Sequence, residues 1–510
     1  MPQNLIEKTF LKPVESFWMA STPVTNYPTM QDNIKTDILV VGGGIAGITT
    51  AYLLQQEGLD VVIIDTNRIA AATSGHTTAK ITSLHNIKYA KLIKSVGKEN
   101  ARLYGESNQN AISLIENIVT ENNIQCDFSW QPSYVYTQDE KYIKLIEAEV
   151  SAARSLGLPA SFKTEIPLPL QIEAAICFDK QAQFHPRKYL LALADIFVKK
   201  GGHIFENTTA LDIHEEKNCK TSIKGGLNII SDKVVVTTQY PFYDGGGLYA
   251  VRMYGERSYI LAAKSQIRFT GGMYISYEDP GRSIRFQASE NDEQLILIGG
   301  EHHKTGQDTN ENEHYKNLIH FANDTFSATD IPFRWSAQDY TAMDEIPYIG
   351  HITGKKHNIY VATAFAKWGM TSSTVAAMII RDIKTSGKSD WEYIFSPSRF
   401  ALTASAKNFF IENSNVVENL LSGKTKSLPT EFSLELGEGK SIKMDGKKAG
   451  AYRDIEGKIF VVDTTCTHLG CEVRWNSAES TWDCPCHASR FDYKGNVIEG
   501  PAQKPLERIR

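Results

Sequence analysis

The chain has 510 residues, of which 42% are hydrophobic and 22% charged, and its formal net charge is -5 at pH 7. This composition is typical of a globular protein, and the length allows two or three domains. Neither a basic stripe nor an acidic tract occurs, so we expect no nucleic-acid partner. The first residues lack the features of a secretory signal, and no stretch reaches the roughly 18 apolar residues of a spanning helix. We therefore expect a cytoplasmic protein without an integral membrane segment.

The first predicted elements form a βαβ unit. Residues 36–48 read TDILVVGGGIAGI, an apolar run followed by glycines and a helical segment, and the next apolar run ends at Asp65. Gly42, Gly44 and Gly47 fit the G-x-G-x-x-G pattern, whose glycines allow a tight turn, the approach of a pyrophosphate and the packing of helix on strand. Asp65 stands where a carboxylate accepts hydrogen bonds from ribose hydroxyls. We predict a dinucleotide site; the alternative is a flexible glycine turn.

Helices, strands and glycine turns alternate from here to about residue 385. We predict one or two amphipathic helices over 86–120, a strand over 125–137 and a helix over 186–200. The segment around 400–425 is polar, and short β-like pieces separated by turn residues follow it. We place the domain boundary there. The predicted division is a first domain over 1–400, a linker over 401–424 and a small second domain over 425–510.

Four further segments carry a resemblance to a known family: AAATSGHTTAKIT (70–82), DKVVVTT (232–238), IPYIGHI (346–352) and AFAKWGMTSSTVAAMII (364–380). With the glycine motif they resemble the FAD-dependent amine and amino-acid oxidases, the DAO or glycine oxidase-like family. The resemblance implies an α/β FAD-binding (Rossmann-like) domain with an interleaved α+β substrate domain. The FAD-binding parts are expected at about 36–85, 186–240 and 340–385.

The resemblance also implies a set of FAD-binding residues. In the family, the helix within the last segment points its N-terminus at the flavin pyrimidine ring, where it stabilises negative charge. A small apolar residue lies against the adenine. The residues implied are Gly42, Gly44, Ile45, Ala46, Gly47, Asp65, Thr66, Arg68, Ser74, Gly75, His76, Thr77, Thr78, Ala79, Ala210, Thr237, Gly350, Trp368, Gly369, Met370 and Thr371.

One departure from the family bears on the substrate. Members that act on amino acids commonly carry an arginine for the substrate carboxylate, and counting between Trp335 and Gly350 puts Asp339 at its position. A carboxylate repels another carboxylate and attracts a cation, so we expect an amine-like substrate rather than a simple amino acid. The alternative is that Asp339 is a surface or capping carboxylate. Further candidates for the substrate pocket are Lys367, Arg285, Tyr259 and Tyr274. For each of them the alternative is a purely structural role.

The last domain carries a dense group of metal-ligand side chains. Cys466-x-His468 and Cys484-x-x-His487 are separated by fifteen residues. Two thiolates and two imidazoles bind either one zinc ion or a [2Fe–2S] cluster with cysteines on one iron and histidines on the other. Zinc does not explain the two extra cysteines, which stand at matching distances behind the ligand pairs.

CTHLGC (466–471), CPCH (484–487) and GPAQKPL (500–506) resemble the Rieske [2Fe–2S] family over roughly residues 425–510. The resemblance implies a small all-β domain. It also implies that Cys466 and Cys484 bind one iron, that His468 and His487 bind the other, and that Cys471 and Cys486 form a disulfide.

Two residues after the ligands bear on the cluster's reduction potential, and a third departs from the family pattern. The resemblance implies that Ser489 donates a hydrogen bond to a cluster sulfur, which raises the potential. Phe491 replaces the tyrosine that is a second donor in high-potential members, so we expect a potential below the respiratory type, within the family's range of about -150 to +300 mV. Ala488 replaces the usual glycine.

The two resemblances together imply an electron path, because a flavin takes two electrons as hydride and a two-iron cluster takes one. We expect FAD-dependent oxidation of a small amine-like substrate at a C–N or C–O bond, with the cluster relaying electrons to or from an external carrier. The alternative is an electron-transfer partner that serves another enzyme as a reductase. A Rieske oxygenase needs a further iron site, and Glu301, His302 and His303 are adjacent and cannot face one point. Only one G-x-G-x-x-G motif is present, which leaves direct use of NAD(P)H unsupported.

Overall fold

A computed structural model describes residues 2–289, 293–308, 310–399, 406–425, 428–429 and 433–510. Residues 401–405 of the predicted linker lie outside the described residues, as do 426–427 and 430–432 near the start of the predicted second domain. Within the described ranges, no helix combines the length and the apolar character that crossing a membrane requires.

The helices are α1 (Pro2–Phe10), α2 (Phe17–Ala20), α3 (Ile45–Gln56), α4 (Tyr89–Val96), α5 (Lys98–Glu121), α6 (Ile143–Ser155), α7 (Pro186–Lys199), α8 (Glu311–Phe326), α9 (Gly369–Ser386), α10 (Glu392–Phe395) and α11 (Ala406–Thr425). The strands are β1 (Ile34–Val41), β2 (Val61–Ile64), β3 (Lys80–Ile81), β4 (Ser129–Thr137), β5 (Ala160–Lys163), β6 (Ala174–Gln183), β7 (His203–Phe205), β8 (Ala210–Glu215), β9 (Cys219–Ile223), β10 (Asn228–Val236), β11 (Met253–Ser265), β12 (Met273–Ser276), β13 (Arg282–Ala288), β14 (Gln294–Lys304), β15 (Ala328–Ala342), β16 (Tyr348–Thr353), β17 (Lys356–Thr363), β18 (Gly439–Met444), β19 (Lys447–Arg453), β20 (Ile459–Asp463), β21 (Arg474–Asn476), β22 (Thr481–Asp483), β23 (Arg490–Asp492) and β24 (Val497–Glu499).

The first sheet contains the predicted βαβ unit. Its order is β16-β17-β10-β1-β2-β7, parallel from β17 to β7 and antiparallel at β16, and the β8–β9 hairpin joins it at β10. All four residues of β2 are buried. Val61 and Ile63 pack on the side of α3, α7 and α9, and Val62 and Ile64 pack on the side of the β8–β9 hairpin. α3 connects β1 to β2 and packs against α7 and α9. The prediction of a Rossmann-like domain is confirmed.

The second sheet has the order β15-β11-β14-β13-β12-β4-β6-β3, with β5 beside β6. Its strands alternate along the chain with those of the first sheet, so the two sheets are interleaved as the family resemblance implied. α8 packs on β11, β14 and β15, and its apolar side chains form a hydrophobic core with one face of this sheet. The predicted strand over 125–137 is β4, and the helical pattern over 86–120 forms α4 and α5.

Two small antiparallel sheets, β18-β19-β20 and β21-β22-β23-β24, form the C-terminal part. Its core is built around Trp482 and Phe491, which are both 0% exposed. Four cysteines also belong to this core, namely Cys466, Cys471, Cys484 and Cys486. The expected small all-β domain is therefore present.

A helix occupies most of the segment predicted as a linker. In α11, the side chains of Asn408 and Asn413 donate to backbone carbonyls of the first domain at 3.0 and 3.1 Å. Val416 and Leu420 pack on the apolar core of the C-terminal domain. The helix is not evident in the sequence because its apolar residues occur in adjacent groups, with several of them exposed, and do not form one apolar face.

Candidate FAD and iron–sulfur sites

A cavity of about 1060 Å³ lies at the carboxyl ends of the parallel strands β1, β2, β10 and β17. Open α/β sheets bind their ligands at this edge. The wall is built from the glycine motif, from residues between 72 and 78, from the start of α9 and from residues 496–505 of the C-terminal domain. Both domains therefore contribute to one cavity.

The glycine motif leaves room for close approach to the backbone. Gly42 has a φ of 111°, and a Cβ there would lie 2.7 Å from the Thr237 carbonyl oxygen. A Cβ on Gly47 would lie 1.8 Å from the Gly42 carbonyl oxygen, so this glycine permits the packing of α3 on β1. The N-cap of α3 is Gly44, which supplies no side-chain hydrogen bond. A helix N-terminus of this kind is suited to bind a phosphate group.

Asp65 follows β2, and its carboxylate lies in the cavity wall. One oxygen accepts a hydrogen bond from the Gly43 amide at 2.7 Å and the other from the Asn67 amide at 2.8 Å. Burial raises the pKa of Asp65, and the two backbone hydrogen bonds oppose that rise. Each carboxylate oxygen has a further lone pair, so the group can also accept from a ribose hydroxyl.

A second helix N-terminus faces the same cavity. α9 begins at Gly369, its N-cap Trp368 supplies no side-chain hydrogen bond, and both residues line the cavity. The preceding turn holds Ala364, Ala366 and Lys367 at φ values of 60°, 51° and 72°. Strained non-glycine residues of this kind concentrate at functional sites. The positive end of α9 is thus available to stabilise negative charge on a flavin ring.

The cavity contains most of the residues that the FAD resemblance implied. Those that line it are Gly42, Gly44, Ile45, Ala46, Asp65, Thr66, Ser74, His76, Thr77, Thr78, Ala210, Thr237, Trp368, Gly369 and Met370. Those that do not are Gly47, Arg68, Gly75, Ala79, Gly350 and Thr371. Arg68 donates instead to the Thr25 carbonyl, and the Thr371 hydroxyl to the Thr82 carbonyl at 3.1 Å. A resemblance identifies a segment, whereas the direction of each side chain follows from its local backbone.

The five pocket candidates divide into two groups. Asp339 and Lys367 line the cavity, whereas Arg285, Tyr259 and Tyr274 do not. The structure places the last three outside this cavity wall, with their side chains 0% exposed. Arg285 donates to two buried backbone carbonyls. Tyr259 lies between Ser258 and Ile260, which do line the cavity, so the alternation of side chains along β11 directs it to the opposite face.

Asp339 lies partly buried on β15 in a charged part of the wall. Burial raises its pKa to about 6; Lys367 opposes this rise, and Glu256 and Glu499 reinforce it. Lys367 also forms an ion pair with Glu256 at 3.7 Å. Asp339 and Glu256 thus lie near one lysine, whereas Glu499 is also paired with Arg257 and Arg490. Ionised carboxylates in this wall would attract a cation.

The four predicted cluster ligands converge from two loops. The rings of His468 and His487 are 4.9 Å apart at an angle of 88°, and the sulfurs of Cys466 and Cys484 are within hydrogen-bonding reach of each other. The Nδ1 atom of His468 is buried and has no hydrogen-bond partner in the described part of the chain. A bond to a metal would satisfy it. Paired thiols and paired imidazoles fit a Rieske cluster.

The remaining two cysteines of this region are bonded to each other. Cys471 and Cys486 form a disulfide with a Cα–Cα distance of 6.5 Å, as predicted. Their sulfurs lie within 4.8 Å of the Cys484 sulfur, so the bond ties the two ligand loops together next to a ligand.

Ala488 and Ser489, which directly follow His487, make close contacts in the structure. The buried hydroxyl of Ser489 is within hydrogen-bonding reach of the Cys466 sulfur. Ala488 has a left-handed φ of 64°, a backbone conformation that favours glycine. Its methyl group is accommodated by Gly255 of β11, where a Cβ would lie only 2.4 Å from the Ala488 Cβ.

A buried ion-pair network joins the two domains. Arg257 of β11 pairs with Glu479 at 2.5 Å and Glu499 at 3.4 Å, and Arg490 pairs with both of these carboxylates and with Asp483. The side chains of Arg257 and Arg490 are 3% and 5% exposed. Burial disfavours ionised Glu479, but Arg257 and Arg490 outweigh that effect and lower its pKa to about 2. The network also brings Glu499 into the cavity wall.

Sequence reasoning missed the contribution of the C-terminal domain to the cavity. Glu499 and its neighbours line it, and the ring of Tyr240, also in the wall, lies 6.0 Å from the ring of His468. These contacts join residues far apart in the chain and leave no local pattern. The segment 500–506 was noticed only as part of the Rieske resemblance.

A second group of metal-ligand side chains consists of His303, Asp308 and His314, whose ligand atoms lie within 4.8 Å of one another. The two imidazole rings stack at 4.8 Å with an angle of 9°. The ring nitrogens of His314 contact Glu301 at 3.2 Å and Asp308 at 2.9 Å. Since carboxylates already satisfy both nitrogens of His314, this geometry gives no support to an oxygenase.

Comparison with known families defines the class of protein. The sequence profile of the FAD dependent oxidoreductase family, DAO, matches residues 37–383, and that of the Rieske [2Fe-2S] domain matches residues 427–510. The chain belongs to the DAO family of FAD-dependent oxidoreductases and carries a C-terminal Rieske domain. It is therefore a redox enzyme of a family that binds FAD, with a domain that binds a [2Fe–2S] cluster.

The same two-part organisation occurs in a curated relative. YhfW of Bacillus subtilis (strain 168), named as a Rieske 2Fe-2S iron-sulfur protein, is 44% identical over 496 residues, which is 97% of each chain. The cytochrome b6-f complex iron-sulfur subunit 1 of Nostoc sp. (strain PCC 7120) is 37% identical over 97 residues, 19% of this chain and 45% of that one. Glycine oxidase from Geobacillus kaustophilus has a TM-score of 0.62 at 16% identity and covers 72% of this chain and 100% of its own, which shows a common fold.

The Gly47→Ala variant is expected to be isolated largely without FAD. Its Cβ would meet the Gly42 carbonyl oxygen at 1.8 Å, so α3 must move away from β1, at a cost of about 1–3 kcal/mol or more. The ratio of FAD to protein, from the absorption spectrum, measures the effect. In the control Gly354→Ala, the nearest atom to the new Cβ is 3.5 Å away, and FAD should be retained. Equal FAD content in both variants would contradict the assignment.

Proposed function

We propose that this protein oxidises a small amine-like substrate, at a C–N or C–O bond, and relays the electrons one at a time through the Rieske cluster to or from an external one-electron carrier. When bound, FAD accepts a hydride and the cluster accepts a single electron. In the outward direction, oxidation of an amine to an imine supplies two electrons to two equivalents of the carrier and releases two protons.

The observation that carries this proposal is the shared wall of the cavity. Residues 496–505 of the Rieske domain line the same cavity as the FAD motif, and Tyr240 bridges from that wall to the ring of His468. A Rieske domain that served only as a separate electron-transfer module would need no residues in the wall of this cavity. This arrangement supports direct exchange between the two centres.

The charges of the wall support an amine-like substrate. Asp339 stands where an arginine would hold an amino acid's carboxylate, and Glu256 and Glu499 lie close enough to raise its pKa. Ionised carboxylates attract an ammonium group by charge-assisted hydrogen bonding. Lys367 remains near enough to Asp339 to orient the carboxylate before the substrate binds.

The Asp339→Asn variant is expected to lose about 10- to 100-fold in kcat/KM for amines, because one charge-assisted hydrogen bond is removed. In the wild type, kcat/KM should fall as the pH drops through about 6, since burial raises the pKa of Asp339 to that value and the protonated group no longer attracts a cation. The variant should lack this acid limb. Oxidation of an uncharged alcohol serves as the control. An unchanged pH profile and an unchanged kcat/KM for amines would contradict the role.

The proposed function is tested by mixing the protein anaerobically with a panel of amines, amino acids and alcohols. Bleaching of the flavin absorption identifies a substrate, and EPR of frozen samples then reports reduction of the cluster. The proposal expects an amine to reduce first the flavin and then the cluster. If none of these compounds reduces the flavin but a reduced protein carrier does, the protein is instead a reductase-like partner of another enzyme.

A further inference from the structure

The second ligand loop of the Rieske domain, residues 484–488, rests directly on the oxidoreductase domain. The backbone carbonyl of His487 accepts a hydrogen bond from the Tyr340 hydroxyl at 3.0 Å. The next carbonyl, of Ala488, accepts from the Gln338 side-chain amide at 2.9 Å. A third carbonyl, of Pro485, accepts from Gln307 at 2.8 Å. Three carbonyls of this short loop are therefore held by side chains of the other domain.

Two of these side chains are deeply buried. Gln338 is 0% exposed and Tyr340 is 2% exposed, and both lie on β15. A buried amide or hydroxyl is costly unless its hydrogen bonds are made, so these contacts favour one position of the loop over neighbouring ones. Gln338 is held in turn, because its side-chain oxygen accepts from the Thr305 hydroxyl at 2.9 Å.

The same residues reach the FAD cavity on their other side. The backbone carbonyl of Gln338 accepts from the Thr73 hydroxyl at 3.2 Å and from the Gln239 amide. The ring of Tyr340 packs against that of Tyr240 at 5.4 Å. Thr73, Gln239, Tyr240 and Tyr340 all line the cavity. A continuous set of packed and hydrogen-bonded groups thus connects the cavity to the loop that carries His487.

The first ligand loop, residues 466–471, is held differently. Its hydrogen bonds in the described structure stay within the Rieske domain, from the Cys466 amide to the Cys471 carbonyl at 2.8 Å and from the Thr467 hydroxyl to the Lys504 carbonyl at 2.6 Å. Leu469 at its tip is 58% exposed. The polar contacts with the oxidoreductase domain are therefore concentrated on the second loop.

We infer that Gln338 and Tyr340 are positioning residues for electron transfer between the flavin and the cluster. They hold the His487 loop against the wall of the FAD cavity, so that the separation of the two centres stays constant during turnover. When both groups are bound, the two-electron-reduced FAD would supply its electrons to the cluster one at a time, and the external carrier would take each electron from the cluster before the next arrives. The inference rests on the proposed function, because it requires that the protein binds both FAD and the [2Fe–2S] cluster.

The test uses full-length protein with both centres and needs no substrate. A light pulse with a deazaflavin sensitiser and EDTA as the sacrificial electron donor reduces the flavin anaerobically, and the absorbance of the cluster is followed in time. The variants are Gln338→Met and Tyr340→Phe, singly and together, which are close to isosteric and keep the fold. Tyr189→Phe changes a buried tyrosine of α7 and is the matched control. The midpoint potential and the EPR g values of the cluster are measured for every protein.

In the double variant, reduction of the cluster is expected to slow by at least about tenfold, while the FAD content and the midpoint potential stay close to those of the wild type. Each single variant should show a smaller slowing, and Tyr189→Phe none. A wild-type rate in the double variant would overturn the inference and leave the proposed function intact. Flavin reduction that never reaches the cluster, even in the wild type, would overturn both.

Discussion

Replacing Arg257 by methionine is expected to destabilise the protein by about 3–5 kcal/mol, because the change removes one arginine from a buried ion-pair network. Glu479, 10% exposed, keeps Arg490 as a cationic partner but loses the one supplied by the oxidoreductase domain. Urea unfolding followed by tryptophan fluorescence measures the loss. The control Lys91→Met removes a pair with Glu345 whose side chains are 60% and 36% exposed, and should cost less than about 1 kcal/mol.

The same variant should change the response of stability to acid. The pKa of Glu479 is lowered from 4.5 to about 2, so its ionised form stabilises the folded state above about pH 4.5, and this contribution is lost as the pH falls toward 2. Without Arg257 the pKa of Glu479 is depressed less, and the acid-dependent loss should be smaller. Equal costs for Arg257→Met and Lys91→Met, with identical pH dependence, would contradict the account of the network.

The His487→Ala variant is expected to lose the iron–sulfur cluster while it retains FAD, because it removes a proposed ligand of one iron and His487 does not itself line the FAD cavity. Electron transfer from the photoreduced protein to cytochrome c should fall by about 100-fold or more. Iron and sulfide analysis, the FAD absorption and the rate of cytochrome c reduction are the measurements. His351→Ala, a histidine of β16, is the control. A variant that lacks the cluster but reduces cytochrome c at the wild-type rate would show that the cluster is not on the electron path.

The parts of the site that could be predicted are those encoded by short segments. The spacing of Gly42, Gly44 and Gly47 reflects steric requirements within one βαβ unit, and the disulfide and ligand pairs are contained in CTHLGC and CPCH. In each case the residues that act together are close in the chain. A local pattern therefore carries the information.

The parts that could not be predicted depend on contacts across the chain. Ala488 fits a left-handed backbone position because Gly255, far away in sequence, leaves space for its methyl group. Arg285 carries a charge that suits a substrate ligand, but its guanidinium group donates to two buried backbone carbonyls. This structural role follows from its buried position, which the sequence does not reveal. The place of Glu499 in the cavity wall follows from its ion pair with Arg257. Periodicity and motif spacing describe residues that are close in the chain, so they do not predict contacts between distant residues.

Anaerobic photoreduction of the purified full-length protein, followed by absorption and low-temperature EPR, would show whether the two centres exchange electrons, with FAD, iron and sulfide analysed on the same sample. We expect FAD and a [2Fe–2S] cluster in equal amounts, and a rhombic signal of a histidine-ligated cluster that grows as electrons enter through the flavin. Zinc in place of iron and sulfide, or a flavin that is reduced while the cluster stays oxidised, would contradict this expectation.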